Sequence, residues 1–97
     1  MTIIRVFHAR AKEGKVDALA QRARDEVVPQ VAAAPGLVAH YAGLPHGDSR
    51  DFVMVTVWEG LDAVRAFAGD DYATPVLYGD TEELIEEMSL HHYEGIE

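Results

Sequence analysis

The sequence has 97 residues, within the common size of one domain, so residues 1–97 are expected to form a single domain. Hydrophobic residues are 48% and charged residues 26%, with no cysteine, which excludes a disordered tail, a disulfide scaffold and zinc sites built on thiolates. The net charge of −9 splits into +4 over residues 1–24 and −13 over residues 25–97, a balance unsuited to nucleic acid or an anionic membrane surface.

No apolar run approaches the roughly 20 residues that span a bilayer. Met1-Thr2-Ile3-Ile4-Arg5 lacks the ordered regions of a signal peptide, so a soluble cytoplasmic protein is the default. Residues 2–11 alternate as a strand, with Ile3, Arg5, Phe7 and Ala9 on one face and Ile4, Val6, His8 and Arg10 on the other. Lys12-Glu13-Gly14-Lys15 is a turn into a helix. Val16, Leu19, Ala20, Ala23, Val27 and Val31 then recur on one helical face. Pro29 should loosen the last turns, and Pro35-Gly36 ends the helix.

Residues 37–44 read as a second strand and 52–58 as the strongest strand, joined by the polar turn 46–50 as a hairpin. Asp48, Arg50 and Asp51 in that connection either border a pocket mouth or keep the turn soluble. Leu61, Val64, Phe67 and Ala68 mark a short helix that Gly69 stops. Residues 70–79 are irregular. Asp80-Thr81-Glu82-Glu83 has capping-box spacing and is expected to open a helix carrying Leu84, Ile85 and Met88. Residues 89–96 are expected to form the last strand.

The order β-α-β-β-α-α-β fits an α+β protein, a small antiparallel sheet with helices on one face. The third strand then raises a question. Phe52, Met54, Thr56 and Trp58 point one way, and Val53, Val55 and Val57 the other. Neither set is made for water, yet one helical layer covers only one face. A second copy of the same sheet is the economical cover, so the pattern predicts a homodimer through the sheet face.

In these features the sequence resembles the antibiotic-biosynthesis-monooxygenase-like domains of the dimeric α+β barrel superfamily. The resemblance rests on the first strand and its Lys12–Lys15 turn, and on Val27-Val28-Pro29 with Ala34-Pro35-Gly36-Leu37. It rests also on Val55-Thr56-Val57-Trp58-Glu59 before a helix with Ala63 and Phe67, and on His92-Tyr93-Glu94. It implies a ferredoxin-like monomer with a four-stranded antiparallel sheet, paired face to face with a second subunit, and a pocket between helices and sheet. Members of that family include cofactor-free oxygenases of anthrones and quinols and heme-degrading monooxygenases. The heme-degrading branch uses an asparagine on the first strand, where this sequence has Phe7, and a histidine on the second helical region. No histidine lies between His46 and His91, so heme degradation is disfavoured.

Cofactor-free oxygenation needs an apolar pocket, a base and a donor for the developing oxyanion. The expected partners are a small aromatic or quinol-like molecule and molecular oxygen, with no cofactor. His40 or His92 suits the base, because the imidazole pKa lies near neutrality. Tyr41, Tyr72 or Tyr93 suits the donor. Phe7, Met54, Trp58 and Phe67 suit the walls, and Trp58 is either pocket wall or plain core. Adjacent His91 and His92 face opposite ways on a strand, and the five histidines show no close ligand spacing, so no metal site is expected. The alternative to an enzyme is a binding protein that holds a small apolar ligand in the same pocket.

Overall fold

The computed structural model describes residues 1–96. Strand β1 (Ile3–Ala11) leads into helices α1 (Val16–Arg22) and α2 (Val28–Ala32), joined by a π-helical stretch, Ala23–Val27. Strands β2 (Leu37–Gly43) and β3 (Asp51–Trp58) form the hairpin. Helix α3 (Leu61–Ala68), the single turn α4 (Thr81–Leu84) and β4 (Ile85–Glu94) complete the chain. The sheet order is β2-β3-β1-β4, with every neighbouring pair antiparallel. The helices lie on one face, giving the α+β, ferredoxin-like architecture.

The expected loosening at Pro29 takes the form of that π-helical stretch. Proline has no amide hydrogen for the carbonyl four residues back, and its ring crowds that carbonyl. The turn before it widens, and the Val28 amide donates to Ala23 O, five residues back. Gly36 ends the arm at φ +82°, where a β-carbon would meet Ala63 Cβ at 2.5 Å. Glycine is required there for both backbone and space. Gly69, at φ +86°, stops α3 as its sequence suggests.

At the C-terminal end the chain forms strand where a longer helix is expected. The helix expected at residue 81 lasts one turn, and Ile85 and Met88 belong to β4, which begins earlier than residue 89 and ends at Glu94. The Asp80 side chain caps nothing. Its carboxylate instead accepts from Arg22 Nε at 2.7 Å and NH2 at 3.3 Å. The long edge of β1 outweighs local helix preference: β4 pairs along it from Ile3↔Glu94 to Ala11↔Ile85, and Ile85 is buried.

Alternation along the strands sorts the two faces. Arg5, Ala9, Phe52, Thr56 and Trp58 are buried on the helical side. The other face carries Val53, Val55 and Val57, which pair across with Gly43, Tyr41 and Ala39 on β2 and with His8, Val6 and Ile4 on β1. No element of the described chain covers it. The core on the helical side has two clusters. One joins Ala9, Leu19, Phe52 and Ile85; the other joins Ile3, Trp58 and Val64 with Phe67 and Tyr72.

Candidate active site

A cavity of ≈ 100 Å³ opens on the helical side of the sheet. The strands contribute Phe7, Phe52 and Met54, the helical arm contributes Val27, and α3 contributes Phe67. The irregular segment 70–79 closes it with Pro75, Val76, Leu77 and Tyr78. That segment and the residue after it are tied at three points. Arg5 NH1 donates to Tyr72 O at 2.6 Å, Thr81 Oγ1 donates to Tyr78 O at 2.8 Å, and Asp80 holds Arg22.

Among the lining residues Arg5 alone is charged. It sits in mid-strand and is only 5% exposed. Among the described residues no carboxylate lies within ion-pairing distance of it. Its NH1 lies 2.8 Å from His92 Nε2 on the adjacent strand β4. A guanidinium has only donors, so Nε2 must accept, which fixes His92 as the neutral ring protonated on Nδ1. Burial first, then Arg5 and His91, hold His92 below its ordinary pKa, in keeping with that form. Burial lowers the Arg5 pKa, and burial pushes the Tyr78 phenol up, so Tyr78 keeps its proton as a donor. The guanidinium also stands 5.9 Å from the centre of the Phe67 ring.

Trp58 lies behind this wall. It is fully buried, its Nε1 donates to Thr56 Oγ1 at 2.8 Å, and its ring lies 4.9 Å from that of Phe67. It does not line the cavity, whereas Phe7, Met54 and Phe67 do. Tyr72 stacks edge-on against His92 at 5.2 Å and contributes its carbonyl. Tyr41 stands on the uncovered face, paired with Val55 and 68% exposed. Tyr93 pairs with Ile4 on that same face. His40 shares the helical face, opposite Thr56, but on the edge strand β2. His92 is on the other edge strand, three strand spacings away or roughly 14 Å, so the two histidines are not brought together. Arg50 donates to Ala11 O and, with Arg10, Asp51 and Glu86, ties down one end of the sheet. Among the described residues no three His, Asp or Glu side chains converge to hold a metal ion.

Sequence reasoning passed over Arg5, Thr56 and Tyr78 as site residues. Arg5 carried a visible sign: a charged residue in mid-strand on the face that also bears Phe7 and Ala9. Tyr78 carried none, since it lies in an irregular segment.

The antibiotic biosynthesis monooxygenase family model matches residues 2–74. The chain belongs to that family. The fold recurs in solved structures of low identity. One is a protein from Shewanella oneidensis, with 20% identity over 95% of this chain and 88% of that one, at TM-score 0.78. Another is SnoaB from Streptomyces nogalater, described as a cofactor-independent oxygenase, with 16% identity over 99% and 94% at TM-score 0.68. A third is a heme-degrading protein from Mycobacterium tuberculosis, with 20% identity over 97% and 93% at TM-score 0.65. None of the curated proteins matches the sequence.

Proposed function

We propose that this protein is a cofactor-independent monooxygenase that oxidises a small aromatic, quinol-type molecule with molecular oxygen in the cavity between helices and sheet. The carrying observation is an apolar cavity whose one charged lining group, Arg5, stands beside a neutral histidine. Family membership and the likeness to SnoaB support the reading. Phe7, Met54 and Phe67 form walls for an aromatic ring, and Arg5 and Tyr78 offer donors to its oxygen. Apolar walls strengthen those electrostatic contacts.

A phenol that has lost its proton is electron-rich enough to pass one electron to oxygen. Superoxide and the substrate radical then combine at a ring carbon that bears hydrogen, and a proton completes the hydroperoxide. Loss of water leaves a carbonyl, so one oxygen atom enters the product and the other leaves as water. Donors fixed where the anion develops lower that barrier without having to reorganise.

The working particle in this reading is a cytoplasmic homodimer that pairs through the uncovered face of Ile4, Val6, Val53, Val55 and Val57. A large apolar patch on a protein of net charge −9 is the kind of surface a second copy covers. The test is an oxygen electrode with metal-stripped protein and a panel of quinols and anthrones. Saturable uptake above the blank is expected. Ligand binding without uptake across the panel would replace the oxygenase with a small-ligand-binding protein.

A further inference from the structure

A buried cation with no counter-ion needs an explanation. Removing a guanidinium from water is unfavourable unless hydrogen bonds or an opposite charge compensate. Here NH1 is satisfied by the Tyr72 carbonyl and by His92 Nε2. The Nε and NH2 edge has no protein partner among the described residues. Among the described residues no fully buried side-chain nitrogen or oxygen lacks a partner, so that edge reaches open space, and the cavity is the open space that Arg5 lines. The groups around it from each packed element carry no negative charge: Thr56 on β3, His92 on β4, Phe67 on α3, and Tyr72 and Tyr78 in the closing segment.

We propose that Arg5 is the anion-binding group of the cavity, and that the ligand is an aromatic monoanion whose oxygen sits against its free edge. This rests on the reading that the cavity is the ligand site. The ligand thus enters already ionised, or leaves its proton to water as it binds. His92 is then a positioning residue: by accepting from NH1 it turns the free edge toward the cavity. A phenolate, an enolate and a carboxylate offer the same chemistry here, an oxygen anion on a flat apolar body.

Three probes of like size separate the possibilities: 4-nitrophenol, 4-nitrobenzoate and the neutral 4-nitroanisole. Their affinities are read by equilibrium dialysis, at a pH where the phenol is ionised. One or both anions should bind about ten-fold or more tightly than the anisole, and Arg5→Met should abolish the preference while retaining anisole binding. Preference for nitrophenolate alone assigns a phenol or enol ligand, and for nitrobenzoate alone a carboxylate. Equal affinities, or no binding of either anion, overturn the inference.

Should Arg5→Met fail to fold, the spectrum of nitrophenol bound to the unaltered protein decides. It should show phenolate below the pH at which the free phenol ionises. Bound neutral phenol contradicts the proposal. Oxygen uptake is read separately. Anion preference without uptake leaves Arg5 in this role and removes the oxygenase reading, whereas uptake with no anion preference does the reverse.

Discussion

Replacing Trp58 by phenylalanine separates a structural tryptophan from one that touches substrate. The indole is fully buried behind Phe67, and its Nε1–H donates to Thr56 Oγ1 at 2.8 Å. Trp58→Phe removes that bond, worth about 1 kcal/mol net. It also removes roughly 40 Å³ of ring, which at about 24 cal/mol per Å³ of residual cavity adds about 1 kcal/mol. The expected loss is therefore about 2 kcal/mol, a sizeable share of the 5–15 kcal/mol (roughly) that holds such a domain folded. Urea unfolding followed by circular dichroism at fixed protein concentration reads it, since concentration sets the stability of any dimer. Thr56→Val removes the acceptor instead, and the double variant should show a coupling of about 1 kcal/mol. Affinity for nitrophenolate should stay within about two-fold, because the indole does not line the cavity. Unchanged stability together with lost binding would refute this reasoning and put Trp58 in contact with the ligand.

Gly36→Ala should destabilise by about 2–3 kcal/mol in the same urea assay, since it meets Ala63 and forces φ +82° on a residue with a β-carbon. Wild-type stability within about 0.5 kcal/mol would contradict that packing. His92, held below its ordinary pKa, takes up its proton more readily in the unfolded chain than in the native one. Its contribution is complete above about pH 6.5 and is lost as pH falls from there toward the native value. Urea midpoints at a series of pH values should therefore fall less steeply toward acid in His92→Gln; parallel slopes would speak against a half-buried neutral ring held by Arg5. Val55→Glu sets a charge between Val6 and Tyr41 on the uncovered face and should yield a particle of 10.7 kDa by light scattering, against twice that mass for the unaltered protein. A 10.7 kDa mass for the unaltered protein would rule out the pairing. A heme titration should give no shifted Soret band, and a ligated spectrum would reopen the heme-degrading reading.

The strands and the helical arm were legible because their patterns are strong. Alternation in 2–11 and 52–58, the periodic face from Val16 to Val31 and the stop at Gly69 all reappear in the fold. The segment after Gly79 was not, because Asp80-Thr81-Glu82-Glu83 is a good local helix start. What overrides it is a strand edge more than seventy residues away in sequence, which no local pattern reveals. The site divides in the same way. Phe7, Met54 and Phe67 were readable as walls from face and residue type. Tyr41 stands on the opposite face because register, fixed by its pairing with Val55, sets its direction. The junction of Arg5, His92 and the Tyr72 carbonyl depends on the adjacency of β1 and β4, the first and last strands of the chain, so sequence spacing gave no hint of it.

The most direct test of the oxygenase account follows the oxygen atoms. Metal-stripped protein is supplied with labelled molecular oxygen and a quinol or anthrone that supports uptake, and the product is weighed by mass spectrometry. The account predicts one labelled atom in the product for each oxygen molecule consumed, the other appearing in water. Uptake that yields hydrogen peroxide and an unlabelled product would contradict it.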